Sequence, residues 1–200
     1  MTPHASRASL IAALTVAASP AEAHLVQTGF GVFYDGVAHL AVTPSDLLII
    51  LALGLLAGQR GPRAARLAVI ALPLAWLAGG LIGARWTTDV DFTWMTTLPF
   101  LIIGALVALD AKIQAHAVLL IATVAGMVHG LVNGASMAPA GAGTLAIVGA
   151  VCGVACLSTA LTAEITALPA GWPRIAVRAA GSWITATGML MFGWLLHTAS

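Results

Sequence analysis

Six apolar runs follow one another with only short polar breaks between them, near 37–58, 64–84, 94–110, 113–133, 142–168 and 174–197. A bilayer crossing needs about 20 apolar residues in a helix, and these runs sit around that length. The breaks carry turn chemistry: Gly61-Pro62, the stretch from Asp89 to Asp91, Pro139 to Gly143, and Gly171-Trp172-Pro173. Composition allows no soluble alternative. Hydrophobic residues make up 60% of the chain and charged residues 8%, where a soluble domain carries about 25% charged. A water-soluble fold of 200 residues keeps too much exposed surface to hide that many apolar side chains. The predicted fold is therefore all-α, a polytopic membrane protein whose solvent is the lipid bilayer.

The first 23 residues read as an export signal. Arg7 supplies the positive end, Ala8 to Ala18 the apolar core, Pro20 the break, and Ala21-Glu22-Ala23 an A-x-A cleavage site. Cleavage makes His24 the mature N-terminus on the outer side, with residues 24–200 forming a single domain of about six transmembrane helices. Charge placement agrees. With His24 outside, Arg60, Arg63, Arg66, Lys112, Arg174 and Arg178 fall on the cytoplasmic side and Arg85 alone falls outside, which is the positive-inside pattern. The expected location is a bacterial inner membrane.

Net charge is +1, so no field directs the chain to nucleic acid. There is no G-x-S-x-G, no phosphate loop and no H-E-x-x-H, so an enzyme is not expected. Cys152 and Cys156 lie one helical turn apart. They read as small residues buried at a helix contact, with a thiolate metal pair as the alternative.

Ionisable groups inside a span are costly and mark sites or pathways. His24, Asp35, His39, Asp46, His129, Asn133 and His197 sort to the outer end; Asp110, His116 and Glu164 sort to the inner end. Asp35, His39 and Asp46 share one face if their helix is continuous, and imidazole with carboxylate suits a divalent transition ion such as nickel, cobalt, zinc or copper. Asp46 has a second reading. Thr43-Pro44-Ser45-Asp46 resembles a helix start, in which Asp46 closes a capping box at Thr43. His129 and Asn133 lie one turn apart and address either one ion or one polar partner helix. Glu164 follows a stripe of Gly149, Gly153, Cys156 and Ala160. That stripe predicts a packed face that turns Glu164 inward, as a proton or ion relay or as a snorkelling end charge. A terminal His24 chelates through its amine and imidazole together, an arrangement that copper favours.

These motifs resemble the HupE/UreJ family of small membrane proteins, linked to nickel supply for hydrogenase and urease. The family's first helix carries H-P-x-x-G-x-D-H before a leucine-rich run; here it reads His39, Leu40, Thr43, Ser45 and Asp46, followed by Leu47-Leu48. The later H-G-x-A-H-G-x-E reads His129-Gly130-Leu131-Val132-Asn133-Gly134-Ala135-Ser136. His129 and both glycines remain, while Asn133 replaces a histidine and Ser136 a glutamate, as in a divergent branch. The resemblance implies a secondary permease for a nickel- or cobalt-type ion, with His39, Asp46, His129 and Asn133 as the metal site and metal ion and lipid as partners. The competing expectation is a non-transporting membrane protein that binds metal or assists assembly.

Overall fold

The computed structural model describes residues 27–86, 93–138 and 143–198. The proposed signal, His24 and the Asp89–Asp91 break lie outside the described residues. The described residues form seven helices and no strand: α1 (Val32–Val42), α2 (Pro44–Gln59), α3 (Pro62–Gly83), α4 (Thr93–Ala108), α5 (Ala115–Met137), α6 (Gly143–Ala167) and α7 (Trp172–Thr198). Four of them, α3, α5, α6 and α7, are long and apolar enough to cross a membrane, and α1 with α2 makes a fifth crossing if the pair is one span. Among the described residues α4 has 16 residues, about 24 Å, short of a ~30 Å hydrocarbon core.

The run expected at 37–58 is not one helix. It is two, at 77° to each other. Pro44 lacks an N–H and disfavours the helical region for the residue before it. Thr43 is accordingly extended, at φ −105° and ψ 95°. Its hydroxyl bonds the His39 carbonyl at 2.8 Å, which satisfies one of the acceptors left free where α1 ends. α2 then restarts with Pro44 in its first turn. The expectation that Asp35, His39 and Asp46 lie on one continuous helix face is thereby corrected: the break separates Asp46 from the other two.

Helix α2 is apolar on every side, and its sequence places it at the centre. Ile49, Ile50, Ala52, Leu53, Leu55, Leu56 and Ala57 are all buried, and α2 touches every other helix. Around it, α3 and α5 form the most intimate pair. A Cβ at Gly130 would stand 2.1 Å from the Trp76 carbonyl oxygen, and one at Gly134 would stand 2.1 Å from that of Gly80. Only glycine admits that approach, the small-residue packing expected between helices in lipid. Helices α4 and α7 make a second pair, and α1 lies against α6.

At the far end of α2 the chain ties three helices together. Asp110 is left-handed, with φ 50°. The N–H of Ala111 bonds the Leu106 carbonyl at 2.9 Å and that of Asp110 bonds the Val107 carbonyl at 3.0 Å, a Schellman ending of α4. Side chains from neighbouring helices add further bonds to this end. Gln59 donates to the Val107 carbonyl at 3.2 Å and Arg178 to the Ala108 carbonyl at 2.9 Å. Arg60 forms an ion pair with Asp110, so Asp110 is engaged with protein.

Candidate metal site

Asp46 sits in the first turn of α2, where helix N–H groups and the helix dipole favour negative charge. It is 1% exposed. Its carboxylate does not cap its own helix: Thr43 has no side-chain cap bond, and both Asp46 oxygens reach across to α5. Oδ1 lies 2.8 Å from His129 Nδ1, and Oδ2 accepts from Asn133 Nδ2 at 2.9 Å. The same Asn133 amide also donates to the His129 carbonyl at 2.9 Å. The one-turn spacing of His129 and Asn133 thus becomes a two-pronged grip on one carboxylate.

An ionised carboxylate only accepts hydrogen bonds, so the pair assigns the proton to His129 Nδ1 and leaves Nε2 with its lone pair in the neutral ring. That Nε2 is buried without a protein partner, as are Asn133 Oδ1 and His39 Nδ1. A carboxylate behind an imidazole is the arrangement that fixes the tautomer and raises the basicity of a metal-ligating histidine. In this geometry Asp46 orients, and the atoms left to ligate are one imidazole nitrogen and one amide oxygen, with His39 Nδ1 as a further donor on α1. His39 is 4% exposed, but no hydrogen bond joins its imidazole to the other three. Among the described residues, no three His, Cys, Asp or Glu side chains group closely enough to hold a metal ion.

Trp76 of α3 completes the surroundings. It is fully buried, and its ring centroid lies 5.3 Å from that of His129 with the planes tilted by 37°. Its Nε1–H has no protein partner. The sequence reading missed this residue. The available signal was the glycine spacing: Gly80 and Gly83 follow Trp76 at intervals of one turn, on the face that meets Gly130 and Gly134.

Other expected residues lie elsewhere. Asp35 accepts the Thr28 N–H at 2.7 Å and the Thr28 hydroxyl at 2.6 Å, and so folds the preceding chain back onto α1. Glu164 is exposed, not turned inward. The stripe from Gly149 to Glu164 lies on one face of α6, but α1 covers only its first part, where Gly149 meets Phe33 and Gly153 meets Leu40. The buried face further along runs through Val154, Ser158 and Thr162. Cys152 and Cys156 fall on the uncovered side and are exposed free thiols, which corrects their expected burial at a helix contact. His116 is exposed as well. His24 lies outside the described residues.

Long apolar helices packed through glycines around a buried carboxylate–imidazole–amide cluster define a small helical membrane protein with a polar centre. The chain belongs to the HupE/UreJ family: residues 12–191, most of its length, match the family described as HupE / UreJ protein. That family is one of membrane transport and accessory proteins, associated with nickel and cobalt handling and not known for enzymes. No curated protein and no solved structure matches the chain.

Proposed function

We propose that this protein is a secondary permease of a bacterial inner membrane for a nickel- or cobalt-type divalent ion, with His129, Asn133 and His39 as the ligating residues and Asp46 as the group that orients His129. The observation that carries this reading is a set of ligand-capable atoms buried without protein partners: His129 Nε2 and Asn133 Oδ1, on the two side chains that hold Asp46, and His39 Nδ1 on α1. Buried polar groups are otherwise nearly always paired. Nitrogen and neutral oxygen donors suit nickel, cobalt, copper or zinc better than magnesium or calcium. Two protein nitrogens and an amide oxygen make a weak site, as cargo that must leave again requires.

In this reading the chain crosses six times, with α1–α2 as one broken span and α4 as a short one. The mature N-terminus lies outside, and the arginines around Gly61 and Asp110 lie inside. His24, once exposed by cleavage, would capture the ion ahead of the buried cluster. Glu164, on the surface of α6, acts as an interfacial charge rather than a relay.

The competing reading is a membrane protein that binds metal without passing it. One observation favours it. The buried positions of α2 from Ile49 to Ala57 are all apolar, so no ladder of ionisable groups continues from Asp46 along the central helix. A permease in a closed state presents the same plug. Binding of nickel or cobalt in detergent, measured beside uptake into proteoliposomes, separates the two. Uptake abolished by His129→Ala supports the permease. Binding without uptake supports the binder, and absence of both ends the metal reading.

A further inference from the structure

The buried cluster contains two kinds of unpaired atom, and they ask for opposite partners. His129 Nε2 and Asn133 Oδ1 can each offer a lone pair. Trp76 Nε1 is a donor only, and it too is fully buried without a protein partner. It cannot ligate a cation. A bare ion taking these lone pairs would leave the indole N–H as it is, at the cost of an unmade hydrogen bond. The Trp76 ring lies against His129, the residue whose Nε2 is free, so donor and ligand belong to one locality.

We infer that Trp76 is a specificity-determining residue of the site: its Nε1–H holds a water that stays on the ion, so the cargo binds as a partly hydrated cation. This rests on the reading of the cluster as the cargo site. The metal takes the protein lone pairs, and the oxygen of its retained water takes the indole proton. No bond is broken and no proton is transferred. The arrangement favours ions that bind nitrogen donors yet readily keep a water. The ring also covers the face of the imidazole, excluding bulk water from the side where α3 meets α5. Close glycine contacts between those helices fix the indole in place: Gly130 meets the Trp76 backbone itself.

The test uses the full chain in detergent and cobalt(II) alone as the probe. Trp76→Phe keeps an aromatic ring and removes the N–H. It is expected to weaken cobalt binding about three- to tenfold, the worth of one hydrogen bond, and to shift the d–d bands of the bound ion. Trp76 is also the only buried tryptophan among the described residues, since Trp86, Trp94, Trp172, Trp183 and Trp194 are exposed. Replacing those five with Phe leaves a protein whose emission comes from Trp76, and saturating cobalt should quench it strongly. This second measurement decides the matter if Trp76→Phe fails to fold. Unchanged affinity and bands in Trp76→Phe, or unquenched Trp76 emission while cobalt is bound, overturns the inference and leaves the metal reading standing. A wild type that binds no cobalt overturns both, and is recognised because no variant is needed to see it.

Discussion

Asp46 Oδ1 and His129 Nδ1 stand 2.8 Å apart, although 83 residues separate them in the chain. Each comes from a largely apolar helix, and each is almost wholly buried. A lone carboxylate in that position would be very costly. The pair, with Asn133 on the second oxygen, makes the cost bearable and sets which nitrogen of His129 is free.

Removing that charge tests the orienting role. Asp46→Asn retains the size of the side chain but loses the anion behind the imidazole. Loss of such a partner typically weakens a metal site 10- to 100-fold. Binding of cobalt or nickel to the purified variant should fall by about that factor, with the helical circular dichroism unchanged. Equal affinity in variant and wild type would show that Asp46 does not support a ligand.

The α3–α5 crossing is the foundation of the site, and its tolerance is small. Gly130→Ala would place a methyl group 2.1 Å from the Trp76 carbonyl oxygen. The helices must separate, at a cost of about 1–3 kcal/mol by the usual penalty for overpacking. Thermal unfolding in detergent should show a clear drop. Gly193→Ala, where nothing lies within 4 Å, is the matched control and should leave the midpoint unchanged or slightly raised. Equal behaviour of the two variants would refute the close crossing.

Arg60 and Asp110 predict a different response. The Arg60 side chain is 10% exposed and that of Asp110 is 40% exposed, so solvent screens the pair from one side. Arg60→Ala should destabilise the protein by about 1 kcal/mol, the upper range for a partly exposed pair. Added salt should weaken the wild type more than the variant. Asp110→Ala in the Arg60→Ala background should add little further loss if the two act as a unit. Full additivity of the two losses would deny the coupling.

Topology can be read from the two ends of α3. In a background with Cys152 and Cys156, both exposed and free, replaced by alanine, single cysteines at Arg63 and at Arg85 should label from opposite sides of the membrane. Arg63 is expected on the cytoplasmic side, by the positive-inside rule. Labelling of both from one side would remove α3 as a span and with it the proposed orientation.

Much of this fold was legible because its boundaries are local chemistry. Gly61-Pro62 and Gly171-Trp172-Pro173 start helices wherever they stand, and α3 and α7 begin there. The pairing of Asp46 with the His129–Asn133 turn was also within reach, since buried polar residues in lipid seek one another. The break at Thr43 was only half legible. Pro44 announces a disturbance, but a kink and a 77° turn have the same local sequence. Glu164 and the two cysteines were misread for a reason beyond any single helix. A stripe of small residues says that something can pack there, and only the short reach of α1 along α6 decides where it does. Trp76 escaped because one buried indole looks like five exposed ones until its neighbour is known.

Helices α2 and α4 have 16 residues each and lie side by side. Each extends about 24 Å, against a hydrocarbon layer of ~30 Å. α2 is shielded in the centre, but α4 exposes Trp94 and Ile102; with α4 as the short span of the proposed topology, the lipid beside it thins to meet its ends. Charge crossing next to α2 would therefore meet a dielectric barrier about one helical turn thinner than the bilayer around it.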